Sequence, residues 1–137
     1  EILAAVKHAG MKDSSNDLEL IPHTPRYLLG GDRKILDAHR LGGHGFVSAA
    51  SNGAPALYAA MEDALRTDDE KRAAALQNKI NRVLDVFSGP HTIPRLKYAL
   101  SLRFDGYPRR VRPPLVTVNE ESAEAVRNML ANADAEP

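Results

Sequence analysis

Lys12 closes a short apolar run, Val6 to Lys12, and Asp13-Ser14-Ser15 follow it at once, a composition that turns a strand into a loop. In parallel β/α architectures, side chains at the C-terminal ends of strands face the reaction space while the rest of each strand is packed core. An amine placed there can attack a carbonyl carbon, provided it is held neutral. A lysine at a strand end is also an ordinary solvated charge with its stem lying along apolar surface, so the rest of the chain has to choose between the two. Other chemistries find less support. His8, His23, His39, His44 and His91 lack the paired spacing and clustered acidic partners of a zinc site. Gly42-Gly43-His44-Gly45 has the glycine content of a phosphate loop, but these glycines follow a helical pattern and precede a strand pattern, the reverse of the nucleotide-binding order. The absence of cysteine excludes a thiolate nucleophile, a disulfide framework and a cysteine zinc site.

The elements that must position Lys12 alternate in the first half of the chain. Val6 to Lys12, Tyr27 to Gly30 and His44 to Ala49 read as strands, the last through Phe46 and Val47. Between them, Asp32 is placed to cap a helix carrying Ile35, Leu36, Ala38, His39 and Leu41, which stops at Gly42-Gly43. A further helix runs from Pro55 to Arg66 with proline in its first turn. Units this short imply parallel strands joined by right-handed crossovers, an α/β arrangement whose three strands leave open edges. Between Ser14 and Arg26 the prolines Pro22 and Pro25 leave room for at most about two helical turns, over Asn16 to Ile21.

Beyond Arg66 the pattern is helical throughout. Thr67 and Glu70 form a capping box ahead of a long helix with Ala73, Leu76, Ile80, Val83, Leu84 and Phe87 on one face, ended by Gly89-Pro90. Another helix is expected from Pro94, burying Leu96, Ala99 and Leu100. A last one, capped by Asn119, carries Ala123, Val126 and Leu130. The basic connector between them, from Pro108 through Arg109, Arg110 and Arg112 to Pro114, reads as a packed crossover and not as a nucleic-acid surface. Ser48 and Asn52 can reach the strand ends, although capping the following helix is their plainer use.

With 137 residues and 43% hydrophobic content, the chain can build one core and not two ordinary domains. Its 18 basic and 18 acidic residues cancel, so no global field draws it to nucleic acid or an anionic membrane. No apolar run approaches the roughly 20 residues of a membrane span, and Glu1 opens the sequence without a basic flank, so no secretory signal is expected. A soluble, cytoplasmic protein is the expectation.

Four segments in order, Gly10-Met11-Lys12-Asp13-Ser14-Ser15, Gly30-Gly31-Asp32, Gly42-Gly43-His44-Gly45-Phe46-Val47-Ser48 and Val111-Arg112-Pro113-Pro114, resemble the dihydrodipicolinate synthase and N-acetylneuraminate lyase family of class I pyruvate-dependent aldolases. The resemblance covers nearly the whole chain but only the C-terminal half of that family's polypeptide. It implies strands six to eight of a TIM (β/α)8 barrel over residues 1–66, then a C-terminal helical domain over 67–137. By the same resemblance Lys12 forms a Schiff base with a 2-oxo acid, usually pyruvate, Gly30 lines the substrate pocket, and Val47 packs beside the bound 2-oxo acid. The protonated imine is an electron sink; deprotonation gives an enamine that adds to an aldehyde, and the reverse direction cleaves a carbon–carbon bond. Neither metal nor cofactor is implied. The implied partners are a small 2-oxo acid, an aldehyde and further copies in a dimer or tetramer, with no nucleic acid and no membrane.

The sequence departs from the family pattern in two ways. Asn16 to Pro25 is shorter than the family's helix after strand six. The proton-relay tyrosine and the threonine pair that binds the carboxylate belong to strands outside this sequence, and none of Tyr27, Tyr58, Tyr98 or Tyr107 matches the relay position. Read from residues alone, Gly30 is equally a simple strand end and Val47 a core valine. A noncatalytic half-barrel serving as an interaction or regulatory subunit, or a fragment that needs its N-terminal half, is the competing reading. Lys12 favours catalysis, because an interaction module needs no amine at that strand end.

Overall fold

Short β-prone runs set between turn residues give three strands: β1 (Met11–Asp13), β2 (Tyr27–Leu29) and β3 (Gly45–Phe46), all parallel in the order β1-β2-β3. The structure, a computed structural model, describes residues 10–134. Lys12 lies opposite Leu28 and Asp13 opposite Leu29, while Leu28 faces Gly45 and Leu29 faces Phe46. Because side chains alternate along a strand, this register sorts the sheet into two unlike faces. Asp13, Tyr27 and Leu29 point to one face and are buried, the last two completely. Lys12, Leu28 and Gly45 point to the other, which no helix covers among the described residues.

The strands are shorter than the sequence suggests. β1 continues through Lys12 to Asp13, so the lysine sits inside the strand and not at its last position; Val6 and the rest of the expected run before Gly10 lie outside the described residues. β2 stops at Leu29. β3 has two residues where six are expected, because the chain turns into a 3-10 turn at Ala50–Asn52. The ladder nevertheless extends past both of its ends: the His44 N–H donates to Tyr27 O at 2.9 Å and the Val47 N–H to Leu29 O at 2.8 Å.

The connections are tighter than expected. After β1 a 3-10 helix at Leu18–His23, capped by Asp17, replaces the turns expected over Asn16 to Ile21. After β2, Asp32 does not cap. A 3-10 turn (Asp32–Lys34) with no side-chain cap runs into α1 (Ile35–Arg40), and the Asp32 carboxylate turns inward. The left-handed Gly42, at φ +88°, ends α1 and lets the Gly43 N–H reach Ala38 O at 2.8 Å. α2 (Pro55–Arg66) matches its expected bounds. α3 (Glu70–Phe87) is capped by Asp69, which accepts from the Arg72 N–H at 3.0 Å; Thr67 instead donates back to Asp63 O at 2.9 Å. α4 (Thr92–Arg103) buries Tyr98 beside Leu96 and Ala99, with Leu100 half-buried. α5 (Glu120–Asp134) is capped by Asn119, which accepts from the Ser122 N–H at 2.9 Å.

α3 is the hub of the helical layer, packing against α1, α2, α4 and α5. Its apolar face joins Tyr27 and Leu29 of the sheet and Met61, Ala99 and Val126 of the neighbouring helices in one continuous core. That core lies behind the sheet, on the side away from Lys12. The basic connector is irregular and mostly exposed; it is held where Arg109 lies 4.9 Å above the Tyr98 ring and donates to Ser101 Oγ at 2.8 Å. Among the described residues no helix is long and apolar enough to cross a membrane.

Candidate active site

Lys12 emerges on the bare face of the sheet, and its Nζ donates to Ser14 Oγ at 2.6 Å. Gly30 stands directly against it. A Cβ at Gly30 would fall 2.6 Å from Lys12 Cε and 2.7 Å from both Ser14 Oγ and Asp13 O, so the lysine stem and the Ser14 hydroxyl take up these positions only because position 30 has no side chain. Strand alternation, continued by the Val47 N–H bond to Leu29 O, puts Val47 on the same face one strand further over. It is 49% exposed and therefore not a core valine. The structure thus brings Lys12 and Gly30 into contact and sets Val47 on the same surface. Ser14, visible in the sequence only as part of a loop signal, joins them, because its hydroxyl follows Lys12 by two residues and turns back to the amine.

The loop that carries Ser14 is anchored from behind. The buried Asp13 carboxylate accepts from Ser15 N–H at 2.8 Å, Ser15 Oγ at 2.6 Å, Asp17 N–H at 3.2 Å and the Tyr27 hydroxyl at 2.8 Å. Burial by itself raises the pKa of this acid, but the hydrogen bonds from Ser15, Tyr27 and Asp17 together outweigh it and hold it at about 2, below its ordinary 3.8. The Tyr27 phenol moves the opposite way, to about 12, first through burial and then through its bond to that carboxylate. An acid depressed in the folded state stabilises the fold above its ordinary pKa, and the contribution is lost as pH falls through the folded value. The stability margin of the wild type over Asp13→Asn is accordingly expected to be constant above about pH 4 and to shrink between pH 3.8 and about 2. Urea unfolding midpoints of the two proteins across that range check it; a margin that stays constant to pH 2 would contradict the assignment.

A second buried carboxylate lies above the other strand ends. Asp32 Oδ2 accepts from the Tyr58 hydroxyl of α2 at 2.6 Å and from the Ser48 hydroxyl just past β3. Its main-chain carbonyl accepts from Gln77 Nε2 of α3 at 2.9 Å, and Gln77 Oε1 accepts from the Leu36 N–H at 3.1 Å. Burial, and then the bond to Asp32, push the Tyr58 phenol well above the usual range. Neither Ser48 nor Asn52 caps the following helix, which starts after Ala54 without a side-chain cap; Ser48 Oγ accepts from the Ser51 N–H at 3.0 Å at the preceding turn, and Asn52 Nδ2 donates to Ala49 O at 3.0 Å. The sequence held one sign of this network: Gln77 interrupts the apolar face formed by Ala73, Leu76 and Ile80, and a buried amide requires partners.

A cavity of about 380 Å³ opens next to Gly30, lined also by Asn16, Gly31, Asp32, Ala49 and Phe87. Another of about 380 Å³, among Leu57, Val83, Val86 and Met129 in the helical layer, shares none of these residues. Among the described residues no three His, Cys, Asp or Glu side chains converge as a metal site would require.

The described residues thus form an α/β fold, a parallel sheet with its core on one face and an amine beside a glycine on the other. The chain belongs to the Dihydrodipicolinate synthetase family, whose profile matches residues 2–133. It is 35% identical over 124 residues to an uncharacterized DapA-like lyase of Chloroflexus aurantiacus, covering 86% of this chain and 41% of that protein. It is 31% identical over 131 residues to 4-hydroxy-tetrahydrodipicolinate synthase of Erythrobacter litoralis, covering 90% of this chain and 44% of the relative. Among solved structures, a monomeric dihydrodipicolinate synthase variant shares the fold with a TM-score of 0.83 at 23% identity, over 97% of this chain and 48% of its own. Dihydrodipicolinate synthase DapA-2 of Bacillus anthracis superposes with a TM-score of 0.82 at 26% identity, over 95% and 47%. The chain therefore spans under half the length of these relatives.

Proposed function

We propose that these residues are the C-terminal half of a class I aldolase or lyase in which the Lys12 amine forms an imine with a 2-oxo acid such as pyruvate. On this reading β1, β2 and β3 are strands six to eight of a (β/α)8 barrel, residues 1–66 form the partial barrel, and 67–137 form the helical domain. The observation that carries it is the meeting of Lys12 with Gly30: an amine on the open face of a parallel sheet, its stem seated where a single methyl group at position 30 would clash. The neutral amine adds to the 2-oxo carbon, and loss of water with uptake of one proton leaves the protonated imine. Release of a proton from the adjacent carbon gives the enamine, whose carbon attacks an aldehyde; hydrolysis then frees the product and restores Lys12. Gly30 admits the 2-oxo acid and Val47 supplies an apolar wall. The reverse sequence cleaves the same bond, and neither direction needs a metal or cofactor.

The open face also supports the part of the proposal that concerns completeness. Among the described residues β1 and β3 are both sheet edges, and Val47 is half-exposed, so a further set of strands has edges to pair with and an apolar surface to cover. Such strands would exclude water from Lys12, as amine chemistry requires. Assembly into a dimer or tetramer belongs to the same reading. The test is inactivation of the full-length natural polypeptide by borohydride. Activity is expected to be lost when pyruvate and borohydride are present together and kept when either is omitted. Equal activity with and without pyruvate present during reduction would contradict the imine chemistry, and a folded, untreated protein without activity would favour the noncatalytic half-barrel.

A further inference from the structure

We infer that Asp32 is a positioning residue that fixes the two pocket walls, Gly30 and Val47, relative to each other; the inference rests on the reading above. These walls belong to different strands, and the ladder between them is short. β3 has two residues, and the bond from the Val47 N–H to Leu29 O at 2.8 Å lies at the upper end of the β2–β3 ladder. Past that point the chain diverges, into the turn at Asp32–Lys34 on one side and the turn at Ala50–Asn52 on the other. One carboxylate spans the gap. Asp32 follows Gly30 by two residues, and the Ser48 hydroxyl that it accepts follows Val47 by one.

The bridge is itself anchored from behind by two helices. Tyr58 of α2 reaches the same oxygen, Oδ2, and Gln77 of α3 holds the Asp32 carbonyl. Phe46, the last residue of β3, packs tilted against the Tyr58 ring with centroids 5.9 Å apart, so the strand end also contacts the anchor. Asp32 is 7% exposed and commits Oδ2 to the Ser48 and Tyr58 hydroxyls, so it acts through these neighbours. Its bonds fall into two kinds: Ser48 ties strand to strand, whereas Tyr58 and Gln77 tie the loop to the helical layer. The two kinds predict different consequences. Loss of the strand-to-strand tie lets the walls drift apart with little loss of core. Loss of the Tyr58 bond leaves a buried acceptor short of a donor, which lowers stability but keeps the walls joined.

The experiment uses the full-length natural polypeptide and follows borohydride-trapped adduct against pyruvate concentration, giving a half-saturating concentration and a limiting rate, with urea unfolding measured in parallel. Ser48→Ala is expected to raise the half-saturating concentration about tenfold, as a small displacement of a positioning group does, with a lowered unfolding midpoint because Asp32 Oδ2 loses one donor and the Ser51 N–H its acceptor. Ser48→Thr, which keeps the hydroxyl, is expected to restore that concentration. Tyr58→Phe, which removes a donor from the same oxygen, is expected to lower the midpoint as well but to keep the half-saturating concentration within about twofold of the wild type, because the interstrand tie survives. Asp32→Asn retains an acceptor and is expected to lie between the wild type and Asp32→Leu. A half-saturating concentration unchanged in Ser48→Ala and Asp32→Leu, or shifts that simply track the midpoints, would overturn the positioning role while leaving the imine chemistry standing. No adduct in the wild type would overturn that chemistry and this inference with it.

Discussion

Replacement of Lys12 by alanine is expected to reduce turnover of the full-length polypeptide by at least about 10⁴-fold, the scale on which enzymes lose activity when a covalent nucleophile is removed. Among the described residues, Lys34, the nearest lysine in sequence beyond β2, is held away from the open face, donating to Asn16 O at 3.0 Å in the loop layer. Lys12→Arg is expected to be equally inactive, since a guanidinium stays protonated and forms no imine. Stability is expected to hold in both variants. In this chain alone Lys12 is exposed and its side-chain bond is to Ser14, so the change there falls within about 0.5 kcal/mol, as for other surface sites, and the unfolding comparison is made on these residues. A steady-state assay with pyruvate and an aldehyde, run beside a denaturant titration, separates the two effects. Activity in Lys12→Ala within tenfold of the wild type would assign the chemistry to another residue.

The second large effect is expected at Gly30. Two of the atoms that a new methyl group would strike, Lys12 Cε and Ser14 Oγ, belong to side chains that can rotate away. The third cannot. Asp13 O lies 2.7 Å from the Cβ position and also accepts the Gly30 N–H at 2.6 Å, so the methyl must either part β1 from β2 or distort that bond. Either response moves Lys12, and the side chains that do yield leave the place where the amine is needed. Gly30→Ala is expected to slow adduct formation by about 10²-fold or more and to cost about 1–3 kcal/mol of stability, as other overpacked sites do. Rate and unfolding midpoint are measured on the same preparation. A variant that forms adduct at the wild-type rate would show that the missing side chain at position 30 has no role in the reaction.

Much of the fold was legible because it rests on local signals. Pro55 and an amphipathic run placed α2 at its observed bounds, and Asn119 ahead of Ala123 and Val126 placed the start of α5. Strand positions were legible and strand lengths were not: β-branched and aromatic residues show where a strand passes, but its end is set by where the partner's ladder stops. The Thr67 capping box failed because Asp68 adopts φ +54°, a turn that delivers Asp69 to the cap and leaves Thr67 on the preceding helix. Asp32 failed as a cap for a different reason. Its partners Ser48 and Tyr58 are distant in sequence, and no local pattern reports a bond that the tertiary fold creates. At the candidate site, Lys12 and Gly30 were legible from strand-end spacing and family resemblance, whereas Ser14 needed the direction of the lysine side chain. Val47 reads as core in any apolar pattern, and its exposure follows from the uncovered face of the sheet.

The central claim, that Lys12 carries the imine, is tested most directly by locating the bond. Peptide mapping by mass spectrometry, after the full-length polypeptide is reduced with borohydride in the presence of pyruvate, is predicted to find one reduced pyruvate adduct per chain, on Lys12, and none in Lys12→Ala. An adduct on a different lysine, or none on a folded and active protein, would contradict the account.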